Sequence, residues 1–72
     1  MKFKMIRLGY RPTPDYPWDY RIELLEYFFH ERENLYEWLH RSNIDHISAG
    51  PTKSVIYLRK KDATLFALRW GQ

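Results

Sequence analysis

Three histidines, His30, His40 and His46, and the eight acids between residues 15 and 45 are the side chains here that could act as metal ligands or acid–base groups. Their spacing argues against both roles. A metal site needs three or four converging ligands; the histidines follow no ligand spacing, and His46 lies beyond the segment that carries the other two. Glu23 with Glu26 and Glu33 with Glu37 are paired carboxylates. Acid–base catalysis needs such groups opposed in a cleft with separated pKa values, whereas on one exposed helix they are solvated charges. There is no cysteine nucleophile, no phosphate-cradling glycine loop and no Gly-x-Ser-x-Gly elbow. The expectation is a protein that is not an enzyme and holds no metal or cofactor.

What remains is recognition chemistry. The 72 residues include 3 Trp, 6 Tyr and 4 Phe, packing material either for a dense core or, as a surplus, for a partner surface. A partner surface, a second copy of the chain included, would use the surplus. The net charge of +3 hides a division. Residues 1–14 carry Lys2, Lys4, Arg7 and Arg11 and no acid; residues 15–45 carry eight acids against three arginines; residues 46–72 carry five bases against Asp62. If both ends enter one sheet, that sheet is basic and its covering helix acidic. Two candidate surfaces follow. Tyr27, Phe28, Glu31 and Trp38 lie off the main apolar stripe of an acidic helix and could face a protein, with a second core layer as the competing role for Phe28 and Trp38. Phe3, Arg7, Arg11, Tyr57, Arg59, Lys60 and Lys61 combine aromatic rings with cations, the types that stack bases and hold phosphates on an open sheet. The full signature of an RNA-recognition motif is absent, and the net charge is modest for nucleic-acid binding.

The elements that must position these residues can be read from pattern. Lys2 to Leu8 alternates as a strand. Gly9 to Pro17, with Pro12, Pro14 and Pro17, is a loop. Trp18 to Ser42 has helical spacing, with Trp18, Ile22, Leu25, Phe29, Tyr36 and Leu39 on one stripe, a Glu37–Arg41 pair one turn apart and Asn43 as a left-handed stop. Its 25 residues would span about 37 Å, against roughly 30 Å for a globule of this size. Such a helix must break or lie along a partner. Asn34 with Glu37 resembles a capping pair that would restart it; alternatively Tyr20 to Phe28 is a strand and only Glu31 to Ser42 is helical, although the Leu24-Leu25 and Phe28-Phe29 doublets break the alternation. Ile44 to Ala49 and Ser54 to Arg59 form a hairpin around Gly50-Pro51-Thr52-Lys53. The tail suits a helix from Asp62 to Gly71, with Asp62 as N-cap and Ala63, Phe66, Ala67 and Trp70 on one face, or a strand in which Thr64, Phe66, Leu68 and Trp70 alternate. The caps favour the helix.

The segment Val55-Ile56-Tyr57-Leu58-Arg59-Lys60-Lys61-Asp62-Ala63-Thr64-Leu65-Phe66-Ala67-Leu68-Arg69-Trp70-Gly71 resembles the C-terminal end of small proteins encoded by T-even-like tailed phages, including phages of cyanobacteria. That family shares no assigned activity, so the resemblance carries no site residues. It implies a strand followed by a helix, and a phage origin.

The expected fold is a small α+β domain of order β-α-β-β-α, a single unit over residues 1–72, with an antiparallel sheet covered on one face by helices in a truncated ferredoxin-like arrangement. No run of about 20 apolar residues would span a membrane, and Lys2 and Lys4 precede no signal-peptide apolar region. The expected location is the host cytoplasm. The expected function is that of a phage accessory protein binding a host protein; the alternative is an RNA- or DNA-binding module.

Overall fold

Residues 2–10, 12–25 and 29–71 are described by the computed structural model. Along the chain run β1 (Phe3–Arg7), β2 (Tyr20–Leu24), α1 (Phe29–Arg41), β3 (Ile47–Ala49), a 3-10 turn (Pro51–Lys53), β4 (Val55–Leu58) and α2 (Lys60–Trp70). The four strands form one sheet in the order β1-β2-β4-β3, with every neighbouring pair antiparallel. The α+β class and the antiparallel sheet covered on one face by helices are as expected. The chain order gains one strand, β2. It becomes two β-β-α units that meet at the β2–β4 seam.

The helix expected over Trp18 to Ser42 is therefore corrected. Tyr20-Arg21-Ile22-Glu23-Leu24 alternates, and its even positions Ile22 and Leu24 are buried. A central strand buries one complete face, which outweighs the helical spacing of the same residues. The chain leaves the strand before Phe29, and Asn34 lies inside α1 rather than at a break. The apolar stripe shifts with it. Leu25 is 61% exposed, while α1 buries Leu35 and Leu39 and carries the buried Arg32 one turn earlier. The break gives a radius of gyration of 11.8 Å.

One core joins the layers. Ile22 and Leu24 of β2, Ile56 and Leu58 of β4, Leu35 and Leu39 of α1, Ile44, and Ala63 and Phe66 of α2 form a single buried cluster, with Phe3, Met5, Tyr20, Tyr36, Trp38 and Trp70 packed against it. Phe66 is its hub, meeting Phe3 edge-on at 4.8 Å and Trp38 at 6.4 Å between ring centroids. Such edge-to-face pairs add about 0.5–1.5 kcal/mol each beyond area burial.

Local sequence sets the ends of the elements. Asn43 adopts φ 53° as the expected left-handed stop. The Ile44 N–H donates to the Leu39 carbonyl and the Asn43 N–H to the His40 carbonyl, the two bonds of a Schellman cap. The helical tail is confirmed, but α2 begins at Lys60 and Asp62 is its third residue, buried in the first turn. The capping acceptor comes from elsewhere: the Lys60 N–H donates to Asp19 Oδ2 at 2.9 Å, and the Asp19 N–H donates to the Leu58 carbonyl at 3.0 Å. At the far end a Cβ on Gly71 would stand 2.4 Å from the Ala67 carbonyl oxygen, which only glycine avoids.

Asp19→Ala removes this cap and is expected to cost about 1 kcal/mol, while Asp19→Asn keeps an acceptor and costs less than half as much. Urea denaturation midpoints of the two variants check the order.

Candidate functional site

Strand register sorts the sheet residues into two faces. Cα partners share a face, so Phe3–Leu24, Met5–Ile22, Tyr20–Leu58 and Ile22–Ile56 belong to the core side. The other side carries two rows that cross all four strands. One is Ile6, Arg21, Tyr57 and Ile47; the other is Lys4, Glu23, Val55 and Ala49. The buried apolar residues of both helices lie in the core-side cluster, so among the described residues neither helix covers these rows.

Arg21 is the centre of the uncovered face. Its Nη2 stands 3.0 Å from Glu23 Oε2 on its own strand, and its Nη1 stands 3.5 Å from the Tyr57 hydroxyl on β4. Aliphatic side chains flank this group: Ile6 and Val55 are half-buried, and Ile47 is 49% exposed. At the end of β4, Arg59 pairs with Asp45 at 3.5 Å and lies 5.9 Å from the centre of the Trp18 ring. The face is thus apolar at its flanks and locally neutralised at its centre, not the uniformly basic sheet expected. Glu23 arrives on β2, the strand that separates the two basic ends of the chain.

A second feature joins α1 to the β3–β4 turn. Gly50, Thr52 and Lys53 adopt φ of 78°, 56° and 54°. Positive φ is permissive for glycine but costs a residue with a Cβ about 1–2 kcal/mol, and more for β-branched Thr52. Two side chains one turn apart on α1 hold the turn. Arg32 Nη1 donates to the Thr52 carbonyl and to Thr52 Oγ1 (2.9 Å), and the Tyr36 hydroxyl donates to the Lys53 carbonyl at 2.8 Å. Glu33, Asn34 and Glu37 complete an open groove of about 730 Å³ there. Arg32 and Tyr36 serve the turn, Glu37 pairs with Arg41, and among the described residues no three His, Asp or Glu converge as metal ligands. His46 Nδ1 lies 2.9 Å from the Ile44 carbonyl.

The residues singled out from sequence are dispersed. Phe3 faces the core against Phe66, and Tyr57 lies on the opposite face of the sheet, so the two cannot stack on one ligand. β1 is also not the neighbour of β4, because β2 lies between them. Arg7 is exposed at the end of β1, and Lys60 and Lys61 are exposed in the first turn of α2. Trp38 is half-buried and meets Phe66 and, at 6.1 Å, Trp70, which makes it a second core layer. Glu31 is half-buried in the first turn of α1. Tyr27, Phe28 and Arg11 lie outside the described residues. Arg21, Ile6 and Ile47 were missed. The alternation of Tyr20 to Leu24 was the signal that exposes Arg21, and the helical reading hid it. Among the described residues, no helix is long and apolar enough to cross a membrane.

No protein-family model matches the chain, and comparison with curated proteins and with solved structures finds no match.

Arg32→Ala leaves the Thr52 carbonyl and a strained turn without their charged donor, and a hydrogen bond to a charged group contributes about 1.5–3 kcal/mol. A loss of about 2–3 kcal/mol is expected on thermal unfolding, against about 1 kcal/mol for Tyr36→Phe.

Proposed function

We propose that the protein is a non-enzymatic binding module that holds another protein on the uncovered face of its sheet. The observation carrying this is the row Ile6–Arg21–Tyr57–Ile47, which crosses every strand on the side away from both helices. Tyrosine and arginine at the centre with aliphatic flanks is the composition of protein-interface cores, where such residues supply most of the binding energy. Charge supports the same choice. Glu23 occupies Arg21 and Asp45 occupies Arg59. A polyanion would have to displace these acids, whereas a protein surface accepts a locally neutral patch. The resemblance of the tail to small phage proteins makes the partner a host protein in the host cytoplasm, and the chain a phage accessory protein.

A second reading has one observation behind it. Tyr57 lies on a central strand of an open sheet beside Arg21, a pairing that can stack a base and contact its phosphate. Binding of this kind must weaken steeply with salt, since counterion release drives it.

Affinity capture from a bacterial lysate, with and without nuclease, separates the two. One nuclease-resistant partner is expected, retained at least about tenfold less by the Tyr57→Ala/Ile47→Ser variant, whose half-exposed changes leave unfolding cooperative. A partner retained equally by that variant contradicts the face. Capture lost on nuclease treatment, together with binding of a mixed oligonucleotide pool at about 50 mM salt, favours the nucleic-acid reading instead.

A further inference from the structure

We infer that the outer edge of β1 is a docking edge for an extended acidic segment of a partner protein, which adds to the sheet as a fifth strand. This rests on reading the chain as a protein-binding module, but it uses the edge rather than the face.

The inference follows from hydrogen-bond parity. In an antiparallel pair, opposed residues alternate between those that exchange both backbone bonds and those whose N–H and C=O point away from the partner. The Leu8 N–H donates to the Asp19 carbonyl and the Leu25 N–H to the Lys2 carbonyl. Both pairs continue the register in which Lys4 faces Glu23 and Ile6 faces Arg21. The even residues of β1 therefore bond β2, and Phe3, Met5 and Arg7 turn their N–H and C=O groups outward. Among the described residues nothing in the chain bonds these outward groups. The opposite edge offers far less. Leu24 N–H donates to the Ser54 carbonyl, so Ile22 and Ile56 exchange bonds, and β4 turns Val55 and Tyr57 toward β3. On β3 only Ser48 then faces outward, within a strand of three residues. Among the described residues only β1 presents a continuous template for strand addition.

Charge selects the occupant. Residues 2–8 contain Lys2, Lys4 and Arg7 and no acid. Lys4 and Arg7 are exposed, and neither makes an ion pair among the described residues. A second copy paired along β1 would bring two such cationic strands together with no acid between them, the arrangement by which natural edges resist self-pairing. An extended segment with Glu or Asp at alternate positions instead satisfies the outward backbone groups and places its carboxylates along one face of the edge, the face that carries Lys4.

Amide hydrogen exchange on the full chain tests this, with a decapeptide of alternating Thr and Glu as probe and its Thr–Lys counterpart as control. The acidic peptide is expected to slow exchange at the Phe3, Met5 and Arg7 amides by about tenfold or more. The Thr–Lys peptide leaves them unchanged, and Lys4→Glu, which alters only an exposed side chain, loses the protection. Unchanged exchange at these amides overturns the inference, as does equal protection by the Thr–Lys peptide, or protection that grows with protein concentration in the absence of peptide. A response confined to Ile6, Arg21 and Tyr57 overturns the edge while leaving the face standing. Loss of edge protection has no bearing on the Tyr57→Ala/Ile47→Ser capture result, so the two sites fail separately.

Discussion

The pairing of β2 with β4 is the constraint on which the molecule depends. Among the described residues β1 pairs only with β2, and β3 only with β4. Each hairpin alone, with the helix that follows it, would be a β-β-α unit too small to bury its apolar face. The seam places Ile22 opposite Ile56, both with no exposed surface, and brings the two helices over one continuous core. Asp19 and Leu58 extend the same seam beyond the ladder. Through them the start of β2 caps the helix that follows β4. In a chain without cysteine, a shared core and a cap donated across the seam take the place of a disulfide staple.

The seam also decides what is left for recognition. Committing Ile22, Leu24, Ile56 and Leu58 to the helices forces Arg21, Glu23, Val55 and Tyr57 to the other side, because side chains alternate along a strand. Two layers suffice for a fold of this size, so among the described residues no element covers that other side. The same order leaves β1 at one margin with its cations and β3 shortened at the other. Recognition features therefore follow from the topology rather than from a loop or cleft built for them. The groove beside the β3–β4 turn differs in kind. There Arg32 and Tyr36 restrain a backbone whose Thr52 and Lys53 would otherwise not hold positive φ.

Much of this was legible in the residues themselves. The β1 alternation, the hairpin around Gly50 to Lys53, the Asn43 stop and the apolar face of the tail each rest on a local signal that tertiary packing does not override. The segment from Trp18 to Phe29 is different, because its apolar residues satisfy a helical and an alternating period together. The Leu24-Leu25 doublet marks where the strand ends, not a failure of alternation. Length was a second guide, since a 25-residue helix of about 37 Å exceeds the diameter of roughly 30 Å expected for a globule of this size. The cap of α2 could not be read locally at all, because Asp19 lies 41 residues from Lys60. The uncovered face depends on β2 in the same way: a helical reading of Arg21 leaves Tyr57 without a visible neighbour, and the register sets Tyr57 on the face opposite Phe3.

A nuclear Overhauser spectrum of the protein tests the seam directly. Pairs that do not exchange backbone bonds bring their Cα atoms to about 4.5 Å, which puts their Hα protons in close contact. Met5 with Ile22 and Arg21 with Tyr57 are such pairs in this register. The account predicts strong Hα–Hα cross-peaks for both. Their absence, with sequential amide–amide and Hα–amide (i, i+3) contacts running through residues 18–25, would show a helix there and contradict it.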